Sequence, residues 1–155
     1  MKLKELEFGV GKLLRERVDG WAQSDSGIPH VYPDHPPLTL SRSSYPRATI
    51  DVTGQTQQGR DIEGTAFFGD LLLQITVYAG NSSEVVELVG DSIEKVVTHQ
   101  DDTIQSGDRQ GEPYLENHSV INLGVVDPIL TDRAEKGFTR FNKTAEIEFE
   151  YTLVT

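Results

Sequence analysis

Residues 144–153, TAEIEFEYTL, decide the fold class. Ala145, Ile147, Phe149, Tyr151 and Leu153 alternate with Thr144, Glu146, Glu148, Glu150 and Thr152. A period of two sends successive side chains to opposite faces, so this stretch reads as a strand with one apolar and one wet face. Upstream, Ala48, Ile50 and Val52 alternate with Thr49 and Asp51 in the run from Arg47 to Thr53. From Thr65 to Tyr78, Leu71, Leu73, Ile75 and Val77 share one face, with Leu72, Gln74, Thr76 and Tyr78 on the other. Gly54 to Gly64 lies between these runs as a turn or protruding tip, which predicts a β-hairpin. A further strand is expected from Ser119 to Val126, ending at Asp127-Pro128.

One-sided strands need a covering layer, and two segments have helical period. Leu3, Leu6, Val10, Leu13, Leu14 and Val18 recur at three- and four-residue spacing, with Gly20 as the stop. Gly9 and Gly11 each weaken that helix by roughly 1 kcal/mol relative to alanine, so tertiary contacts must hold it. Asn81 followed by Glu84 resembles a capping box, and Val85, Val89, Ile93, Val96 and Val97 then mark one face of a second helix. Residues 23–46 contain Pro29, Pro33, Pro36, Pro37 and Pro46, which predicts a long extended loop tethered by Tyr32, Leu38, Leu40 and Tyr45. Residues 101–116 are polar, with Gly107, Gly111 and Pro113, and read as a mobile loop. The expectation is one α+β domain over residues 1–155: a mostly antiparallel sheet with a β-hairpin, and two amphipathic helices packed on one face.

The chain carries 25 acidic and 14 basic residues, a formal net charge of -11. That charge repels phosphate backbones and anionic membranes, so specific nucleic-acid and membrane binding are not expected. Because the acidic residues are spread through nearly every segment, we read them as adaptation to high salt, where screening over roughly 3 Å at 1 M relieves self-repulsion. An ordinary acidic protein surface is the alternative. With no cysteine, disulfides and thiolate metal sites are excluded. The opening MKLKELEFGVGKLLRERVDG lacks an uninterrupted apolar stretch, which predicts a protein made and used in an aqueous compartment.

Few residues point to chemistry. His30, Tyr32, Asp34 and His35 crowd potential ligands into one loop, but the spacing matches no structural zinc pattern, and a stiff solvated loop is the simpler reading. His99 with Asp101 and Asp102 sits at the polar exit of the second helix, where a histidine commonly meets terminal carbonyls. No GxSxG, GxxxxGK[ST] or HExxH motif occurs, and Gly9-Val10-Gly11 lies inside a helical pattern. We therefore expect no catalytic residues, no metal and no cofactor. The row Glu146, Glu148 and Glu150 reads as a solvated strand face, or as a partner for arginines of a neighbouring subunit drawn from Arg47, Arg60, Arg133 and Arg140.

Five stretches carry a family resemblance: SYPRATIDVT (44–53), ITVYAG (75–80), DSIEKVV (91–97), INLGVVDPI (121–129) and KTAEIEFEYTLV (143–154). In their order, and with the leading helix and Pro/Tyr segment, they resemble the tail terminator, or tail completion, proteins of long-tailed phages and haloarchaeal tailed viruses. The resemblance runs nearly from Met1 to Thr155 as a match of order and character, without a diagnostic motif. It implies a non-enzymatic structural virion protein, assembled in the host cytoplasm, that forms a hexameric ring at the tail–head junction. Such a ring meets the tail tube protein on one side and neck or connector proteins on the other, and DNA passes through it.

Ring closure needs two different patches on each subunit. The expected interface elements are the strand Arg47 to Thr53, the tip Gly54 to Gly64 and the loop from Tyr32 to Tyr45. The candidate interface side chains are Tyr32, Tyr45, Arg47, Arg60, Arg133 and Arg140. Two alternatives stand beside this reading. One is a head-closure, adaptor or tail-tube-like ring protein of the same kind of particle. The other is a domain that binds a small molecule or carbohydrate, for which Trp21, Tyr32 and Tyr45 are the available aromatics.

Overall fold

The period-two runs pair with one another and the helical runs cover them. The computed structural model describes residues 3–33, 42–60, 66–98, 113–122, 124–129 and 140–154. Along the chain come α1 (Leu3–Arg17), β1 (Val31–Tyr32), a 3-10 turn (Arg42–Ser44), β2 (Arg47–Arg60), β3 (Ala66–Ala79) and α2 (Ser82–Thr98). β4 (Pro113–Asn122), β5 (Asp127–Ile129) and β6 (Arg140–Val154) follow. The strands form one sheet in the order β1-β2-β3-β6-β4, with β5 also pairing to β6. Every pairing is antiparallel except the short parallel contact of β1 with β2. The fold is α+β, with the expected hairpin and with both helices on one face.

That face is the core. Ala48 and Ile50 of β2, Leu71, Leu73, Ile75 and Val77 of β3, and Ala145, Ile147 and Phe149 of β6 are buried. They form a single cluster with Val10, Leu13 and Leu14 of α1 and Leu88, Val89 and Val96 of α2. Each large apolar side chain so buried stabilises the fold by about 1.5–3 kcal/mol. The helix ends are closed by local bonds. Asn81 Oδ1 accepts from Glu84 N at 2.8 Å, and Asn81 Nδ2 donates to Glu84 Oε2 at 3.1 Å, so the predicted cap forms. At the far end of α1, the buried Trp21 indole donates to Leu14 O at 3.0 Å, taking one of the last helix carbonyls.

The first part of the expected 23–46 loop is tied to the sheet edge. Gln23 bridges to Pro29, His30 N donates to Ala22 O at 2.8 Å, and Ala48 N donates to His30 O at 3.0 Å. Arg15 of α1 donates to Val31 O at 2.8 Å and holds β1 against the helix. Residues 34–41 lie outside the described residues.

Three expectations are corrected. The hairpin strands run further than read, with β2 continuing to Arg60 and β3 beginning at Ala66, so residues 54–60 are strand and not tip. Two register shifts, at Thr53/Gln55 and Gln57/Gly59, leave Gly54 and Gln58 as the extra residues of bulges. β4 starts at Pro113, so residues 113–116 of the expected loop are paired with β6, while 101–112 lie outside the described residues. The strand read as Ser119 to Val126 ends at Asn122, and β5 resumes at Asp127.

β4 and β5 occupy the same edge of β6 in succession. From Pro113 opposite Leu153 to Ile129 opposite Arg140, that edge advances 16 residues while β6 advances 13, so it carries three more residues than the strand it pairs with. Gly124, with φ of +66°, sits at one of these irregularities against the backbone of Thr144. Only a glycine fits there without overlap.

Candidate functional site

The face of the sheet turned away from the helices has a charge polarity that the register makes readable. Its cross-strand rows are Arg47–Tyr78–Asn142, Thr49–Thr76–Thr144 and Asp51–Gln74–Glu146, continued in β3 and β6 by Leu72–Glu148 and Asp70–Glu150. The middle rows are held by side-chain bonds: Thr76 Oγ1 to Thr144 Oγ1 at 2.9 Å, and Gln74 Nε2 donating to Glu146 Oε1 at 2.8 Å. Towards the hairpin end the rows become acidic, with Asp70 directly opposite Glu150 and Glu148 exposed. The other end is cationic and aromatic.

At that cationic end, the chain leaves the 3-10 turn through Tyr45 and a cis Tyr45–Pro46 bond into Arg47, the first residue of β2. The hairpin register sets Arg47 across from Tyr78, whose ring centroid lies 4.0 Å from the guanidinium carbon. Arg47 also lies 5.3 Å from the Tyr45 ring. Arg140, the first residue of β6, lies 4.9 Å from the same Tyr45 ring and donates through Nη1 to the Tyr45 hydroxyl. Tyr45 thus crosses the end of the sheet from β2 to β6.

Both arginines are interior, with Arg47 5% and Arg140 1% exposed. Cation–π contacts of this kind contribute up to about 2 kcal/mol each when desolvated. They use the guanidinium face and leave its edge. Arg47 Nε and Nη1 are buried without a hydrogen-bond partner among the described residues.

Three of the six candidate interface residues, Tyr45, Arg47 and Arg140, therefore meet in one cluster inside the subunit. Their side chains are turned into the subunit's own interior. Tyr32 is elsewhere: its hydroxyl sits 2.5 Å from His30 Nδ1, with His30 buried beside the α1 end of the sheet. The Arg60 backbone lies at the far end of β2, opposite Phe67, and Arg133 lies outside the described residues. Tyr78 was not singled out in the sequence, although its place opposite Arg47 follows once the hairpin register is fixed.

His30 engages Tyr32, while Asp34, His35, His99, Asp101 and Asp102 lie outside the described residues. No group of three or more His, Asp or Glu residues that could hold a metal occurs among the described residues. Trp21 belongs to the hydrophobic core cluster, whereas Tyr45 packs against Arg47 and Arg140. No described helix is long and apolar enough to cross a membrane.

The two outer edges of the sheet complete the picture. β1 covers only Ala48 and Thr49 of β2, and Glu7 of α1 accepts from Val52 N at 3.0 Å. Beyond these, β2 has no strand partner on that side among the described residues. The opposite edge is the bulged β4–β5 ribbon. No protein-family model matches the chain, and no curated protein matches it.

Proposed function

We propose that this chain is a non-enzymatic structural subunit that assembles head-to-tail into a ring. We propose further that the ring is the tail terminator of a tailed virus, closing the tail tube and joining it to the neck. The observation that carries the assembly reading is the pair of dissimilar sheet edges. The β2 edge is long and mostly unpaired among the described residues, and the β4–β5 edge on the other side is bulged. A heterologous contact needs two different surfaces, and one that closes on itself gives a cyclic ring. An exposed edge strand presents backbone donors and acceptors ready for another chain.

The viral assignment is supported by the order of the five stretches from SYPRATIDVT to KTAEIEFEYTLV and by the α+β fold they build. The net charge of -11 fits a channel wall that lets DNA slide without sticking. In this reading the interface includes the stretch of the β2 edge that β1 does not pair. Arg47, Tyr45 and Arg140 act behind it by fixing where β2 and β6 begin and where β3 ends.

Negative-stain imaging of the purified protein, at low salt and at high salt, tests the assembly reading by showing rings or single particles. Labelling of intact virions tests the viral part: signal at the tail–head junction is expected. Signal on the capsid or tail tip, or its absence from particles, overturns that assignment.

A further inference from the structure

We propose that Glu7 closes the outer edge of β2 against strand addition by a second copy of the chain. The inference concerns the free subunit and goes beyond the ring reading, although both turn on the same edge. Ala48 N points away from β3, since it donates to His30 O at 3.0 Å beside the β1 contact. Amides alternate in direction along a paired strand, so those of Ile50 and Val52 face the same way. β1 ends at Tyr32, level with Thr49, and the Val52 amide lies three residues beyond that point. A side chain takes this donor: Glu7 Oε1, from α1, accepts from Val52 N at 3.0 Å across 45 residues of sequence.

An edge strand recruits another chain through its row of backbone donors and acceptors, and a charged group set against that row is one way in which proteins blunt it. Glu7 blunts it twice. Its oxygen occupies the donor that an incoming strand's carbonyl needs, and hydrogen bonds to a charged acceptor are among the stronger ones. A strand that docked without displacing it would also take the carboxylate out of water, which is costly for an unpaired charge. Glu7 itself is half-buried, so in the free chain its carboxylate keeps contact with water. The partner held off is a second copy, which brings an edge strand of its own, β4, at the other end of the described sheet.

The test compares the full wild-type chain with Glu7→Ala. Glu16→Ala, at an exposed position of the same helix, removes the same charge and serves as the control. Self-association is read by sedimentation velocity over a concentration series, and the Val52 amide by hydrogen exchange at the same concentrations. The expected result has two parts. Glu7→Ala tightens self-association about tenfold or more relative to Glu16→Ala, the factor that about 1.4 kcal/mol makes in an equilibrium. Its Val52 amide exchanges faster than that of wild type when the protein is dilute, and becomes protected as the concentration rises, because a neighbour's carbonyl then replaces Glu7. In wild type that amide is protected throughout. Should Glu7→Ala not fold, Glu7→Asp, one methylene shorter, withdraws the acceptor and is read in the same way.

Three results overturn the proposal. One is self-association no tighter than that of Glu16→Ala. Another is association that leaves the Val52 amide exposed, which places the contact elsewhere. The third is a Val52 amide as well protected in dilute Glu7→Ala as in wild type, which removes Glu7 from the edge. The ring reading fails separately. A wild type that stays monomeric while Glu7→Ala associates through Val52 leaves this contact standing and counts against the ring, and wild-type rings that Glu7→Ala does not tighten do the reverse.

Discussion

Replacing Gly124 by alanine isolates how much of the fold depends on one close backbone approach. Gly124 has φ of +66°, and a Cβ built there overlaps the carbonyl oxygen of Thr144 in the neighbouring strand. The left-handed conformation costs an alanine about 1–2 kcal/mol. The overlap is with backbone in the middle of β6, which cannot swing aside as a side chain can, and forced shifts of that kind cost about 1–3 kcal/mol. Together Gly124→Ala should destabilise the protein by roughly 2–5 kcal/mol, or lower the Tm by about 2–4 °C for each kcal/mol. Two controls separate the contributions. Gly27 has φ of +81° and nothing within 4 Å, so Gly27→Ala carries the conformational cost alone, about 1–2 kcal/mol. Gly90 lies inside α2 with nothing within 4 Å, so Gly90→Ala should stabilise by about 0.5–1 kcal/mol through helix propensity and unfolded-state entropy. Urea unfolding at one fixed protein concentration reads all three. A Gly124→Ala loss no larger than that of Gly27→Ala would refute the close approach of the β4–β5 edge to β6.

Other expectations follow from the helices, the core and the charge. Asn81→Ala removes the acceptor of Glu84 N and should cost about 1 kcal/mol in thermal or urea unfolding, with Asn81→Ser close to wild type. Phe149→Ala empties a fully buried position in β6 and should cost about 3–5 kcal/mol, whereas Phe149→Leu, measured in the same assay, costs less than half of that. Raising sodium chloride from roughly 0.1 M to 1 M shortens the screening length from about 10 Å to about 3 Å, and should raise the Tm of a chain with net charge -11. A Tm that falls or stays level over that range would contradict the salt-adaptation reading of the acidic surface.

The core was legible because it depends on local periodicity. Ala145, Ile147 and Phe149 at a spacing of two, and Val85, Val89 and Val96 at helical spacing, name their buried faces without reference to the rest of the chain. What remained hidden depends on partners far away in sequence. Pro113 to Glu116 reads as loop because it opens on a proline and continues the polar, glycine-containing run that precedes it, yet β6 supplies a ladder and turns it into an edge strand. The placement of β6 between β3 and β4 likewise has no local signal, since consecutive strands are the default neighbours.

The arginine cluster was hidden for a related reason. An isolated arginine in a polar stretch reads as surface, and Tyr45 and Arg140 stand 95 residues apart. Only the register that brings Arg47 opposite Tyr78, and the turn that carries Tyr45 across to β6, makes the two cations interior.

The central claim, a subunit that closes into a ring, is tested most directly by native mass spectrometry of the purified chain at several protein concentrations and in both low and high salt. A closed heterologous interface predicts one dominant assembly of about six copies whose stoichiometry does not grow with concentration. A chain that stays monomeric under all these conditions, or an open series of ever larger species, would contradict it.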